Sequence, residues 1–467
     1  MSPNSVRKLW REGVLIAEQS SDYFQQFEGG YSSVIPTITD TSKGKGHTIR
    51  FTPMSGFYGE GKKADGRFDD PTDFETVRIS SFEMTVDFLR NAYADNERME
   101  EVMGMRGEIT GRINSEMGKW LGRMKTEQMW AQFLLSLNAE NVIYGGNKTF
   151  DTLKSADYLS WDDIVTGSHL MRSKGGLPAN LGKGKDVWSN LVCATEAALF
   201  SLKLDPDYRT MLANAGVRGM ANLVFKGGYP DIDGQVIVPY NPIDHDGVGA
   251  QGSFANPKAF VGTAITAGTT AFDITGGGNS TDGALTSVLY YKYFKGYAYG
   301  FIDGTSYSPP AGTDYVIIYN LTGADAGKWG FYSYANATGN NGNKITVNGR
   351  LAAAASGIAN STIGGVTWNA SINTDAHPSG SLVIPANRLG VPVGSTVILG
   401  REAIYRGYGM YRGHRSTQDF EGGFIRQKFI TSVFGQVIRQ DRKGRHPAVT
   451  RIDHAVSYPG VTLPVVA

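Results

Sequence analysis

NERMEEVMGMRGEITGRINSEMGKWLGRMKTEQMWAQFLLSL, residues 96–137, is the stretch whose reading decides the fold. It holds no proline and follows Asp95-Asn96, a good capping pair. Met99, Val102, Met105, Ile109, Ile113, Met117, Trp120, Leu121 and Met124 recur at intervals of three or four, the period of one apolar helix face. At 1.5 Å per residue such a helix reaches on the order of 60 Å. Charges spread along it, among them Glu97, Arg98, Glu101, Arg106, Glu116 and Arg123, exclude a bilayer span. Gly104, Gly107, Gly111, Ser115, Gly118 and Gly122 fall within about 80° on a wheel of 100° per residue, away from the large apolar residues. Each interior glycine costs roughly 1 kcal/mol against alanine. Close approach of another backbone explains that cost; drift in a helix held by packing is the alternative.

Working upstream, His47 to Met54 and the run from Val77 to Phe88 read as strands, the second alternating well, with a one-residue slip at Ser80-Ser81 that reads as a bulge. Between them, Ser55 to Thr76 is Gly-rich, charged and nearly free of aliphatic residues, so it has little to bury. A long hairpin of that composition is expected to project and lie on another surface. Residues 5–28 read as a helix, with Val6, Leu9, Trp10, Val14, Ile16 and Ala17 near helical spacing and Gly29-Gly30 as the stop. Either it is an arm that packs on a neighbour or an ordinary surface helix.

Downstream, residues 150–245 read as mixed α/β. Trp161 to Arg172 is a helix, Asp186 to Val192 a strand, Thr195 caps a helix over Glu196 to Leu202, Asp205-Pro206-Asp207 opens another, and Gly234 to Pro239 is a strand. Over residues 251–394 charges thin out, and Gly, Ala, Ser, Thr and Asn dominate beside Tyr clusters. Asp314 to Tyr319 and Lys344 to Val347 are strand candidates, and an inserted all-β domain is expected there. Val397 to Gly400, Phe429 to Gly435 and Arg451 to His454 return to the earlier style.

Bulk properties narrow the function. With 467 residues the chain exceeds one ordinary core, and 41% apolar residues suffice to build several. Charged residues make up 19%, below the roughly 25% of common globular chains, which suits a subunit walled in by neighbours. A net charge of +1 argues against a protein built to condense nucleic acid. One cysteine, Cys193, excludes an intramolecular disulfide and a Cys-rich zinc site; within Val192-Cys193-Ala194 it reads as a buried small side chain. No apolar region follows Met1 to Lys8, so a secretory leader is not expected, and no run approaches a membrane span.

Searches for chemistry return little. Gly56, Gly59, Gly61, Lys62 and Lys63 resemble a phosphate loop but lack its hydroxyl residue, and no Gly-x-Ser-x-Gly or His-Glu-x-x-His occurs. Asp244-His245-Asp246-Gly247 suits a solvated turn better than a calcium loop. Adjacent acidic pairs such as Asp69-Asp70 and Asp162-Asp163 fit loops and helix starts. No catalytic residue, cofactor or metal is expected. Arg401, Arg406, Arg412, Arg415, Arg426, Lys428, Arg439, Arg442, Lys443, Arg445 and Arg451, with Tyr405, Tyr408 and Tyr411 between them, either touch packaged nucleic acid or pair with acidic neighbours.

The order of parts is helix, charged hairpin, very long helix, mixed α/β region, β insertion, returning strands. That order resembles tailed-phage major capsid proteins of the Hong Kong 97-type fold, an α+β architecture. More narrowly, Val77–Ala94 leading into Met99–Trp130, Gly234 to Pro239, Val397 to Ala403 and Val433 to Arg439 are similar to the coliphage N-four-like capsid family. The resemblance covers most of residues 1–250 and 395–460, not the insertion. It implies an N-terminal arm (1–35), an extended-loop hairpin (36–92), a peripheral domain with its spine helix (93–150), an axial domain (151–250), an inserted β domain (251–394) and strands returning to both domains (395–467). It further implies a shell subunit that assembles through pentamers and hexamers around double-stranded DNA. Its place is the virion, after assembly in the host cytoplasm, without a membrane. Portal and decoration proteins are implied partners, with non-specific contact to packaged DNA. No long charged helical segment precedes the arm, so a scaffolding protein is expected to be separate or lacking. Glu60, Lys62, Lys63, Arg67, Asp69 and Asp70 are the expected inter-subunit contacts, and Gly104, Gly107, Gly111, Gly118 and Gly122 the close-packing stripe. Rival readings are an encapsulin-like compartment shell and a carbohydrate-binding phage tail protein.

Overall fold

The computed structural model describes residues 22–39, 47–51, 81–95, 108–135, 137–181, 188–214, 231–232, 234–240, 259–261, 264, 271–275, 313–321, 323–335, 344–352, 360–363, 366–369, 376–378, 381–387, 389, 391–409, 414–420, 425–441 and 443–456. Two sheets, a long helix and a barrel make up most of them.

The first sheet is built on the long strand Ile425–Ile438. Along one edge it pairs antiparallel with Asp87–Asp95, from Phe434 opposite Asp87 to Arg426 opposite Asp95. It also pairs antiparallel with His414–Phe420 and with Ile404–Tyr408, and the sheet continues to Ile35–Thr39 and Glu28–Gly29. Period-two alternation sorts its side chains. Ile430 and Phe434 join Leu89 and Tyr408 beneath Met117, Leu121 and Met124 of the helix Glu108–Leu135. Val433 and Tyr405 face the other way, toward Ile49, Phe51, Phe82, Met84 and Val86. Those residues come from the hairpin Thr48–Phe51 with Phe82–Thr85, paired with Phe51 opposite Phe82. The alternating run past Ser81 breaks at Val86, whose N–H turns to the carbonyl of His47. The expected bulge site includes Ser80, which lies outside the described residues.

The second sheet runs Val142–Tyr144, Val449–Ala455, Val393–Leu399, Trp188–Thr195, Gln235–Tyr240, Asp231–Ile232, with Ala179–Asn180 on Trp188–Thr195. Gln235–Tyr240 lies parallel to Trp188–Thr195, and parallel neighbours need a crossover. Helices Glu196–Leu204 and Pro206–Asn214 stand between them in the chain, the first capped by Thr195 as its sequence predicts. Helix Trp161–Ser173 starts at a capping box between Ser160 and Asp163 and packs Ile164 and Met171 on Val192, Ile398 and Ile452. On the opposite face Leu191, Cys193, Val397 and Val449 meet Phe24, Val34 and Ile35 from the N-terminal segment and Met129, Trp130 and Phe133 from the long helix. Both faces are covered, so a stretch such as Leu191 to Ala194 reads as an apolar run rather than an alternation.

From Ala259 to Ala386 six antiparallel strands close a barrel: Ala259–Val261, Ala271–Thr275, Lys344–Ala352, Trp329–Ala335, Thr313–Tyr319 and Leu382–Ala386. A strand pair Asn360–Ile363 and Val366–Asn369 stands beside it in the chain. Closure rests on Leu382–Ala386 pairing with both Ala259–Val261 and Thr313–Tyr319. Asn387 then roots the barrel's exit. Its amide donates to the carbonyls of Phe150 (3.1 Å) and Leu153 (2.8 Å) and accepts from Leu389 N and Val391 N, both at 3.0 Å.

One expectation is corrected at the N-terminus. Tyr23–Phe27 is a short 3-10 turn, not the end of an α-helix. The Asp22 carboxylate takes the Phe24 N–H, and Glu28–Gly29 then enters the first sheet parallel to Ile35–Thr39. A carboxylate that serves the turn and a distant arginine together leaves the chain no reason to continue as α-helix. The remainder of the expected helix, residues 5–21, lies outside the described residues.

Candidate functional site

A buried charged cluster lies where the N-terminal segment, the long helix and the first sheet meet. Ile404–Tyr408 alternates, so Arg406 points with Tyr408 toward the helix side of the sheet. The Arg406 guanidinium is 0% exposed. Its Nη1 donates to Asp22 Oδ2 and to Glu28 Oε1, each at 2.6 Å, and its Nη2 to Gln436 Oε1 at 3.2 Å. Burial works against the arginine's charge, and the nearby Asp22, Tyr408 and Glu28 outweigh it, so the guanidinium pKa is raised above its ordinary value.

The same carboxylates hold other elements. Asp22 Oδ1 accepts from Thr126 Oγ1 at 3.0 Å, and Thr126 Oγ1 accepts the Tyr23 N–H at 3.1 Å. Glu28 Oε1 also accepts from Tyr408 Oη at 2.8 Å. Lys125, fully buried, sets its ammonium 4.7 Å from the centre of the Tyr408 ring and 5.1 Å from that of Phe434. Gln436 Nε2 donates to the Lys125 carbonyl, and Gln132 Nε2 to the Gln436 carbonyl. Two buried cations, Arg406 and Lys125, thus stand against two carboxylates, Asp22 and Glu28. Tyr23 Oη reaches on to the Val238 carbonyl of the second sheet at 2.9 Å.

A second arrangement seats the hairpin. Gly407 and Gly435 are register partners on the sheet face that the hairpin covers. A Cβ on Gly407 would stand 2.3 Å from Met84 Cε, and one on Gly435 only 2.6 Å from the Thr85 carbonyl oxygen. The paired glycines form a notch that admits Met84. Phe51 and Phe82 stack at 5.1 Å beside it, with Tyr405 at 4.6 and 5.2 Å from the two rings. The expected contact residues Glu60, Lys62, Lys63, Arg67, Asp69 and Asp70 lie outside the described residues; the root of their hairpin is what the structure places. At that root Arg50 and Glu83 pair at 3.8 Å in solvent.

Of the glycine stripe, Gly104 and Gly107 lie outside the described residues. Gly111, Gly118 and Gly122 are on the long helix, and Gly118 and Gly122 are buried. Four residues on, Thr126 occupies the next position of that row and takes the N-terminal segment. Several of the basic residues between 401 and 451 have acidic partners among the described residues. Arg439 pairs with Glu402 at 3.2 Å, Arg445 with Asp441 at 2.6 Å and Arg451 with Asp453 at 2.9 Å, beside the Arg406 pairs. Asp244 to Gly247 lies outside the described residues. Among the described residues no three His, Cys, Asp or Glu side chains gather to hold a metal, and no helix is long and apolar enough to cross a membrane.

Sequence reasoning missed the cluster. Asp22 and Arg406 are 384 positions apart, and neither spacing nor period links them. The available signal was one charged residue, Arg406, in the otherwise uncharged strand Ile404–Tyr408.

No protein-family model and no curated protein matches the chain. Solved structures do. A chain from the capsid of Ralstonia phage GP4 superposes with a TM-score of 0.54 and 13% identity, over 95% of this chain and 93% of that one. A chain of the cyanophage Pam1 capsid gives 0.51 at 9% identity, over 93% and 92%. One from the head of Helicobacter pylori bacteriophage KHP40 gives 0.50 at 9% identity, over 94% and 91%. At such identities the likeness lies in the backbone, and the fold of this chain is that of phage capsid chains.

Proposed function

We propose that this chain is the major capsid protein of a tailed phage, a structural subunit without catalytic activity. The observation that carries the reading is a shared fold over 95% of the chain and 93% of a phage capsid chain, which leaves little of either unmatched. The finer reading is the Hong Kong 97-type plan, and within it a likeness to the N-four-like capsid family. In it the first sheet and long helix form the peripheral domain, the second sheet the axial domain, and the barrel an insertion. The hairpin rooted at Thr48–Phe51 and Phe82–Thr85 carries the extended loop. Its Glu60, Lys62, Lys63, Arg67, Asp69 and Asp70 pair across a neighbouring copy, and the glycine stripe admits a close backbone. Exposed pairs contribute roughly 0–1 kcal/mol each, so assembly stays reversible until many contacts add. One chain with heterologous faces closes rings, and pentamers and hexamers of it tile an icosahedral head around double-stranded DNA. Portal, decoration and separate scaffolding proteins are the further partners, and host cytoplasm the place of assembly.

Negative-stain microscopy of the purified protein, alone and with a co-expressed scaffold, tests the reading. Closed shells or five- and six-fold capsomers support it. A monomer under every condition sinks it. Deleting residues 58–72 is expected to leave a folded subunit that closes no shells; normal shells from that deletion refute the loop's role.

A further inference from the structure

We infer that the Asp22–Arg406–Glu28 cluster is a positioning clasp: it fixes the angle between the two sheets, and through that angle the curvature at which copies of the chain close. The first half stands on this chain alone; the second rests on the capsid reading.

The two sheets share few direct ties. Among the described residues the chain passes between them at residues 400–403 and 439–448, and the long helix leads from the first sheet toward Val142–Tyr144 of the second. The N-terminal segment spans the gap. Tyr23 Oη donates to the Val238 carbonyl, Ser32 accepts from the Asn180 N–H at 2.9 Å, and Val238 and Asn180 both lie on strands of the second sheet. Asp22 and Glu28 grip Arg406 of the first sheet, and Asp22 also holds Thr126 of the helix. Ser33 accepts the Glu402 N–H at 2.9 Å, at the turn where the chain crosses from one sheet to the other.

Apolar packing of Phe24, Val34 and Ile35 also fills this junction, but it is non-directional and tolerates rotation of one layer on the other. Short charge-assisted bonds do not. Two carboxylates from one segment, both at 2.6 Å from a single guanidinium nitrogen, leave that segment one seat on the first sheet. An apolar trio of the same volume would hold the layers together without selecting an angle. Arg406 is therefore a positioning residue, not a contact between copies.

The test uses the full chain. Cys193 is buried, so new cysteines at Arg90 on the first sheet and Ser173 on the helix backing the second sheet, both exposed, take spin labels. Labelled subunits are diluted into unlabelled ones, and the label–label distance is measured by pulsed electron resonance. The comparison is the wild-type background against Asp22→Asn/Glu28→Gln/Lys125→Met/Arg406→Met, which removes two buried charges of each sign. We expect a single narrow distance in the first and loss of that narrow distance in the second. Amide protection over 24–28 should fall while protection of Val449–Ala455 stays, which shows that the variant is folded. An unchanged narrow distance in the neutral variant overturns the clasp. A variant that loses protection in both sheets is replaced by Asp22→Asn alone, judged on the same distance. Shells are then measured: mixed or altered diameters support curvature control, and wild-type diameters from a subunit with a broadened distance overturn that half. Should the wild type form no shell, the capsid reading falls and the distance measurement still decides the clasp.

Discussion

Replacing Arg406 with methionine should cost the subunit about 3–5 kcal/mol, the loss found when one partner of a buried ion pair is removed. The structure sets the magnitude. Asp22 and Glu28 side chains are 1% and 8% exposed, so water cannot take over from the guanidinium. Their remaining buried countercharge is Lys125. Total stabilities of roughly 5–15 kcal/mol make such a loss visible, and in a chain of this size the opening is best read locally. The control is Arg50→Ala. Arg50 and Glu83 pair at 3.8 Å with side chains 66% and 61% exposed, and such pairs contribute about 0–1 kcal/mol. Urea unfolding of unassembled subunits, followed by tryptophan fluorescence and by amide exchange over 24–28 and 404–408, separates the two. A double-mutant cycle between Asp22→Asn and Arg406→Met should return a coupling well above 1 kcal/mol, since the second change then removes an interaction already broken. Equal losses for Arg406→Met and Arg50→Ala would refute the reasoning.

Three further expectations follow from particular groups. Burial lowers the pKa of His454, whose ring contacts Thr396 Oγ1 at 3.0 Å and the Ala455 carbonyl at 2.9 Å, while Asp453 and Asp163 act weakly the other way. The unfolded chain thus binds its proton first: stability is intact above the ordinary histidine value of 6.5 and declines as pH falls below it, by at most about 1.4 kcal/mol per pH unit. Urea midpoints of wild type and His454→Gln should converge as pH falls from 7.5 to 5, and parallel curves would contradict this. Burial likewise pushes the Cys193 thiol up to about 12, so its thiolate at pH 8 is about a thousandfold scarcer than for an ordinary thiol at 9.0. Maleimide should modify it only in denaturant; fast labelling of the native chain would show the strand open. Gly435→Ala places a Cβ against the Thr85 carbonyl, a backbone atom that cannot step aside, and should cost about 1–3 kcal/mol with exchange rising across 48–51 and 82–85. Undisturbed hairpin amides would show that no notch is needed.

Some of this was legible and some was not, for physical reasons. The long helix announces itself through its 3.6-residue period, and Met117, Leu121 and Met124 are buried where that period puts them. Thr195 and the Ser160–Asp163 pair mark helix starts because capping acts over three residues. Val449–Ala455 is buried on both faces yet reads Val-Thr-Arg-Ile-Asp-His-Ala, so neither an apolar run nor a period of two marks its place in the sheet. The composition of the barrel segment points to strands, but closure joins Leu382–Ala386 to Ala259–Val261 across more than a hundred residues. Arg406, Gly407 and Gly435 were visible as residue types without partners. Their meaning lies in contacts that only the folded chain creates.

Among the described residues, three appendages of the two-sheet body are rooted in the same physical way. The N-terminal segment is held by charge-assisted bonds to Arg406, the hairpin by the Gly407–Gly435 notch, and the barrel's exit by the four bonds of Asn387. All three devices are directional or steric, whereas the body around Val397, Leu191 and Phe133 is ordinary apolar packing. Apolar cores accept changes of shape at modest loss, and a notch or a charge-assisted seat does not. The two classes of site should therefore fail differently. Val397→Ala should lower stability by about 1–3 kcal/mol through lost packing and leave the appendages where they are. Changes at the three roots should redirect an appendage even when the body keeps its stability. On the proposed capsid reading, the roots and not the core then decide whether copies close on one another.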